Sequence, residues 1–129
     1  MYKKLLAVLI LNVLSMSAMA DWIKVTEDRL VTTYADPSTI LKIDNKVQMW
    51  SMADFKTVQT VAENKYLSAK SQQEFDCQNE TLTMLGYSWF SGNMGTGQAA
   101  VSNSNRGEPR SIPPRSPGEI LWKMACDQQ

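Results

Sequence analysis

Side chains that could perform acid–base or nucleophilic chemistry are few in this sequence. The 129 residues include no histidine, which removes the usual general base at neutral pH and the commonest metal ligand. Glu74 and Asp76 fall on one side of a predicted strand, as an acid pair for glycoside hydrolysis would. Carboxylates in such a position more often simply solvate the strand. The sequence therefore predicts a non-enzymatic protein with no catalytic residue, no metal site and no cofactor.

The other reactive groups are the thiols of Cys77 and Cys126, the two cysteines of the chain. In an oxidising compartment an even number of cysteines normally forms disulfides, and two cysteines allow one pairing. The alternative, a redox-active pair, usually has C-x-x-C spacing, whereas these residues lie far apart. We predict a structural Cys77–Cys126 disulfide, for which the chain-entropy model gives a stabilisation of about 4 kcal/mol.

The first 20 residues have the layout of a secretory signal peptide. A positive start at Lys3 and Lys4 precedes the apolar run Leu5–Met16, and a small-x-small site ends at Ala20. The run is shorter than the roughly 20 residues that a membrane-spanning helix needs, which favours cleavage over an uncleaved anchor. We predict cleavage between Ala20 and Asp21, which makes residues 1–20 the signal peptide and residues 21–129 one exported domain.

Composition and the cleavage site also bear on attachment and partners. A bacterial lipoprotein carries its lipid on a cysteine directly after the signal, and here that position is Asp21. No later stretch is apolar enough to span a membrane. Removing Lys3 and Lys4 leaves 11 basic against 13 acidic residues, a net charge of −2 that gives no field to attract nucleic acid. We expect an exported protein without a lipid anchor, in the periplasm or at the cell surface.

Most of residues 21–129 has the alternation and the β-branched and aromatic content of strands. Val47–Phe55 is apolar on both sides and is predicted to be a central strand. Asp36–Thr39 is predicted to be a turn, and Lys56–Lys65 and Asn103–Pro114 to be loops. The predicted strands cover residues 22–25, 30–34, 40–43, 47–55, 67–77, 81–90 and 98–102.

The end of the chain changes from strand to helix periodicity. Ser116 to Glu119 forms a capping box with a proline at the first helical position. The residues that follow are apolar around most of the helix, so this helix must pack on the sheet. We therefore predict an α+β fold: a single antiparallel sheet of about six strands, with a C-terminal helix on one face tethered by the disulfide.

The order of short motifs in this chain resembles the surface-adhesin protein E family. The resemblance rests on Trp22, Tyr34–Ile40, Val47–Trp50, Asp76-Cys77, and a late Ile-Pro and Ser-Pro before Cys126. It implies a small bacterial surface protein that binds host matrix or plasma proteins and forms a homodimer. Such adhesins are displayed as lipoproteins, however, and this chain lacks the lipid-bearing cysteine. The fold is therefore a safer inference than adhesion.

Two groups of basic residues are candidates for binding a protein partner. They are Lys56, Lys65 and Lys70 in one segment, and Arg106, Arg110 and Arg115 in the last loop. Neighbouring acidic residues dilute both groups, so a solvated surface is the alternative for each. Trp50 and Trp89 are predicted either to anchor an interface or to pack in the core. The functional alternatives are a host- or envelope-binding module and a periplasmic accessory protein that shares the fold without adhesion.

Overall fold

A computed structural model describes residues 21–127, so the predicted signal peptide and Ala20 lie outside the described residues. The strands β1 to β6 follow one another across one antiparallel sheet, and a short β7 pairs with β5. This arrangement, with a C-terminal helix on the sheet, confirms the predicted fold class. The elements are β1 (Ile23–Glu27), β2 (Val31–Ile43), β3 (Lys46–Val61), β4 (Asn64–Asp76), β5 (Thr81–Phe90), β6 (Ala99–Asn103), β7 (Arg110–Ser111) and α1 (Pro117–Cys126).

The predicted loop over Lys56–Lys65 is wrong, because these residues extend β3 and β4 into one long hairpin. The hairpin turns at Ala62 and Glu63, both at positive φ (45° and 70°). A two-residue turn that requires positive φ is normally built from Asn and Gly, which tolerate that conformation. Ala-Glu carries no such signal, so the turn was not recognisable in the sequence.

The predicted turn at Asp36–Thr39 is also wrong, because β2 continues through it as a bulge. The pairing of β2 with β3 shifts between Asp36 and Leu41. The Asp36 carboxylate accepts hydrogen bonds from the backbone N–H and the hydroxyl of Ser38, which satisfies the backbone where the ladder is interrupted. Pro37 is compatible with a strand at this position because a bulge does not need its missing N–H. Similarly, the predicted loop Asn103–Pro114 contains the short strand β7.

The helix α1 begins at Pro117, and its N-cap is Ser116, whose hydroxyl accepts a hydrogen bond from the N–H of Glu119 (3.2 Å). This confirms the predicted cap. The helix buries Leu121, Ala125 and Cys126 against the sheet, and none of the described helices is long and apolar enough to cross a membrane.

One disulfide and one hydrogen bond hold α1 in place at the end of β4. Cys126 forms the predicted disulfide with Cys77, with the two Cα atoms 5.6 Å apart. The indole N–H of Trp122 donates to the carbonyl of Asp76 (2.9 Å). The core below the helix consists of buried side chains from β2, β3 and β4, namely Ala35, Val47, Met49 and Phe75.

The sheet has two faces, which we call the helix face and the open face. Val47 and Met49 of β3 point to the helix face, and period-two alternation places Trp50 and Met52 on the open face. Met52 is only 1% exposed although α1 lies on the other side. This confirms that β3 is a central strand with apolar groups on both faces.

Candidate binding surfaces

A row of four aromatic rings lies on the helix face, beyond the end that α1 covers. Its members, Phe55, Tyr66, Trp89 and Tyr87, come from β3, β4 and β5, and we call them the aromatic row. Ring centroids are 5.5 Å apart for Phe55–Tyr66, 4.6 Å for Tyr66–Trp89 and 5.6 Å for Trp89–Tyr87. All four side chains are half-buried.

The strand register explains how this row forms. Tyr87 and Trp89 are two residues apart on β5 and therefore share a face. Their partners on β4 are the small residues Ser71 and Ala69, which leave space for large rings. Tyr66 was not recognised as a site residue because it lies between the predicted loop over Lys56–Lys65 and the predicted strand that starts at residue 67. The period-two pair Tyr87 and Trp89 was the signal that could have pointed to the row.

A cavity of about 480 Å³ adjoins the aromatic row, within the range typical of ligand pockets. Its apolar wall includes Leu82 and Met84 beside Tyr87 and Trp89. The opposite rim, which contains Glu108 and Arg110, comes from the segment that follows β6. That segment is held to β5 by a hydrogen bond from the N–H of Gly107 to the carbonyl of Met84 (2.8 Å) and by the pairing of β7. The cavity therefore combines an apolar wall with two exposed side chains of opposite charge at its rim.

The structure separates the three candidate lysines. Lys56 forms an ion pair with Glu27 on β1, with Nζ and Oε1 3.0 Å apart. Lys65 is exposed near the tip of the β3–β4 hairpin. Lys70 lies on the open face, where its ammonium group is 5.3 Å from the ring centroid of Phe90. These lysines therefore have three different environments.

The three candidate arginines are likewise dispersed. Arg106 binds the carboxylate of Glu74 on the open face. Arg110 lines the cavity on the helix face. Arg115 is exposed just before α1, in a positive-φ conformation (59°). Of the six basic candidates, Arg110 is the one that lines the cavity beside the aromatic row.

The two carboxylates considered for glycoside chemistry are held ionised by their neighbours. Burial alone would raise the pKa of Glu74, but hydrogen bonds from Arg106 and Gln48 outweigh it, and the pKa is lowered. The pKa of Asp76 is lowered by hydrogen bonds from the backbone N–H and side-chain amide of Asn79. A general acid for glycoside cleavage needs a raised pKa, so this pair does not have that electrostatic arrangement. Residues 21–127 also contain no cluster of three potential metal ligands.

Comparisons with known proteins identify the family. The family model for surface-adhesin protein E matches residues 22–127. No match was found among curated proteins.

Solved structures of Haemophilus influenzae protein E have a similar fold. Its crystal form II has a TM-score of 0.66 at 15% identity, over 85% of this chain and 90% of the other. The selenomethionine form has a TM-score of 0.63 at 16% identity, over 84% and 88%. Protein E from the non-typeable organism has a TM-score of 0.55 at 14% identity, over 87% and 79%. At these identities the structures show a common fold, whereas the family match over nearly all described residues shows descent: this chain belongs to the surface-adhesin protein E family.

Proposed function

We propose that this protein is exported to the bacterial envelope and acts by non-covalent binding of a protein partner, through the aromatic row and its cavity. The partner is a host matrix or plasma protein or another envelope component. The observation that carries the proposal is the row of half-exposed rings beside a cavity of about 480 Å³. Aromatic residues next to a pocket dominate the binding energy of many protein interfaces, and adhesin family membership supports the same role.

The geometry suggests how a partner is recognised. An apolar side chain of the partner enters the cavity between Met84 and Trp89, and the rest of the contact lies along the aromatic row. Arg110 and Glu108 at the rim then select for complementary charge and speed association more than they add affinity.

Binding of the mature domain to purified host matrix and plasma proteins tests the proposal. Trp89→Ala should weaken capture by about 30-fold or more, the effect of losing a hot-spot residue. Trp50→Ala, on the opposite face, is the matched control and should bind like wild type. Near-UV circular dichroism of each variant checks that the fold is intact. Absence of capture by wild type, or equal binding by both variants, would overturn the proposal.

Charge reversal at the rim gives a second test, at an exposed side chain. Arg110→Glu should weaken binding and reduce its dependence on salt, because exposed charges interact less as ionic strength rises. Arg115→Glu is the control, since Arg115 is also exposed but does not line the cavity. Equal effects of the two changes would remove Arg110 from the interface.

The periplasmic accessory protein is the second candidate function, and one observation favours it. The residue after the predicted cleavage site is Asp21 and not the cysteine that would carry a lipid. Surface proteolysis of intact cells separates the candidates, because an adhesin must be accessible from outside. Protection in intact cells, with cleavage after the outer membrane is opened, would favour the accessory role.

We also propose a homodimer, in line with the family resemblance. Light scattering of the mature domain over a range of concentrations tests this. A constant mass equal to one domain would contradict it.

A further inference from the structure

The open face carries a second concave site, on the side of the sheet away from the aromatic row. We propose that this site binds an acidic sugar residue, in which a carboxylate is attached to a pyranose ring. The proposal goes beyond protein binding by the helix face and does not depend on it. The pocket has a volume of about 250 Å³ and is lined by Trp22, Asp36, Thr39, Trp50 and Lys70.

The strand register makes the pocket concave. Asp36 pairs with Trp50 of β3, and Trp22 directly precedes Ile23, which pairs with Ala35. The short side chain of Asp36 therefore lies between two indoles on the neighbouring strands. Because each strand is about 4.8 Å from the next, the two tryptophan backbones are roughly 10 Å apart. Two large rings on either side of a short residue leave a slot between them.

The floor of this slot is held rigid by hydrogen bonds in the β2 bulge. The hydroxyl of Thr39 donates to the carbonyl of Asp36 (2.6 Å) and accepts from the N–H of Trp50 (3.0 Å). One carboxylate oxygen of Asp36 is occupied by Ser38. Within residues 21–127, hydrogen bonds use neither the second carboxylate oxygen nor the indole N–H groups of Trp22 and Trp50. The residues that line the pocket thus have two donors and one acceptor available for a ligand with hydroxyl groups.

Lys70 supplies a positive charge held in place beside these groups. Its ammonium group is 5.3 Å from the ring centroid of Phe90 and 6.0 Å from that of Trp22. Among the described residues, no carboxylate lies within ion-pair distance of it. A cation that forms no ion pair in a partly apolar pocket favours an anionic ligand group on its own side of the pocket, because the lower local dielectric strengthens the attraction.

The loop after β5 fixes the lysine side chain. Gly95 (φ +71°) packs so close that a Cβ atom there would be 2.3 Å from the Cε atom of Lys70. The loop is anchored on Ser68, whose hydroxyl accepts from the N–H of Gly95 (2.9 Å) and donates to the carbonyl of Gly92 (2.6 Å). Little conformational entropy is then lost when the ammonium group binds a ligand.

Together these groups define the ligand class. The C–H bonds of a sugar ring carry partial positive charge and are attracted to the negative faces of the indoles. Its hydroxyls match the indole donors and the free oxygen of Asp36, while its carboxylate matches Lys70. A neutral sugar would leave Lys70 without a counter-ion, and a bare carboxylate would leave both indoles uncovered. The carboxylate must lie on the Lys70 side of the slot, because Asp36 would repel it.

Titration of the mature protein with methyl glucuronide, methyl glucoside and acetate tests this assignment by NMR of the tryptophan indole N–H groups. Methyl glucuronide should shift the Trp22 and Trp50 resonances at millimolar concentration, while those of Trp89 and Trp122 stay constant. Methyl glucoside should bind at least about tenfold more weakly than methyl glucuronide. Acetate should leave the indole resonances unshifted. Equal binding of the acidic and neutral sugars, indole shifts with acetate, or no shift with methyl glucuronide would overturn the proposal.

Variants assign the charge. Lys70→Gln should reduce methyl glucuronide binding to the level of methyl glucoside, and Lys70→Arg should retain the preference for the acid. Lys65→Gln, an exposed lysine of the same strand, is the control and should bind like wild type. If the loss of charge in Lys70→Gln disturbs the loop after β5, Lys70→Arg still decides the question. A folded Lys70→Arg variant that no longer prefers methyl glucuronide to methyl glucoside would contradict the role of the charge. Trp89→Ala should leave this binding unchanged, so failure here is distinguishable from failure of the proposed protein-binding surface.

Discussion

The two ends of the helix face differ in exposure although β3 and β4 contribute to both. At the covered end, Phe75 and Met49 are 0% exposed below α1. At the open end the aromatic row is half-exposed. The helix of 10 residues is about 15 Å long, whereas β3, with 16 residues, extends over about 53 Å. One short helix cannot cover such a strand, so this sheet has one end that stabilises the fold and one end available to a partner.

The largest expected effect comes from comparing one aromatic residue at each end. Phe75→Ala should lower the free energy of unfolding by about 3–5 kcal/mol, because it leaves a cavity in a fully buried site. Trp89→Ala should cost clearly less, since part of its ring is already in water. Urea denaturation measures both values. Equal losses would show that the open end is as important for stability as the covered end.

The disulfide should stabilise the covered end alone. Cys126→Ser together with Cys77→Ser should lower the free energy of unfolding by about 2–5 kcal/mol. Hydrogen exchange should become faster in α1 and stay slow where β3 pairs with β4 near the aromatic row. Thiol labelling of the native, non-reduced wild type should find no free thiol, and two labelled cysteines would contradict the bridge.

Glu74 lies next to Phe75 at the covered end, with its side chain on the open face. Its contribution to the free energy of unfolding should depend on pH. At neutral pH, Glu74→Gln should cost about 1–3 kcal/mol, because it weakens the charged hydrogen bond with Arg106. The folded-state pKa is below the ordinary value of 4.5, so this stabilisation is present above pH 4.5 and is lost as pH falls through the folded pKa. Denaturation at several pH values should show wild type and variant converging in acid. A constant difference across that range would argue against the ion pair as the cause.

The smallest expected effect is at Lys56, beside the aromatic row. Lys56 and Glu27 have side chains that are 44% and 43% exposed, and an ion pair this exposed contributes little to stability because water and salt screen it. Lys56→Gln, Glu27→Gln and the double variant form a double-mutant cycle measured by thermal unfolding. A coupling energy clearly different from zero would mean that the open end is held more firmly than its exposure indicates.

Local signals in the sequence were sufficient for several elements of the fold. The cap at Ser116 and the apolar residues after it predicted α1, because capping depends on groups within one turn. The alternation of Val47–Phe55 predicted a central strand. The Cys77–Cys126 pairing followed from count and compartment, and the structure has it. Each of these inferences depends on chemistry within a few residues or on a choice with one outcome.

Other features were decided by the tertiary structure, since they depend on register between distant strands. Ala62 and Glu63 adopt positive φ with no sequence signal, and this turn brings Tyr66 of β4 next to Phe55 of β3. Arg106 and Arg110 are close in sequence but lie on opposite faces of the sheet. The sequence by itself determined the central strand, the helix and the bridge. Only the pairing of strands, in which a shift of one residue exchanges the two faces, decided which side chains meet at the aromatic row and around Lys70.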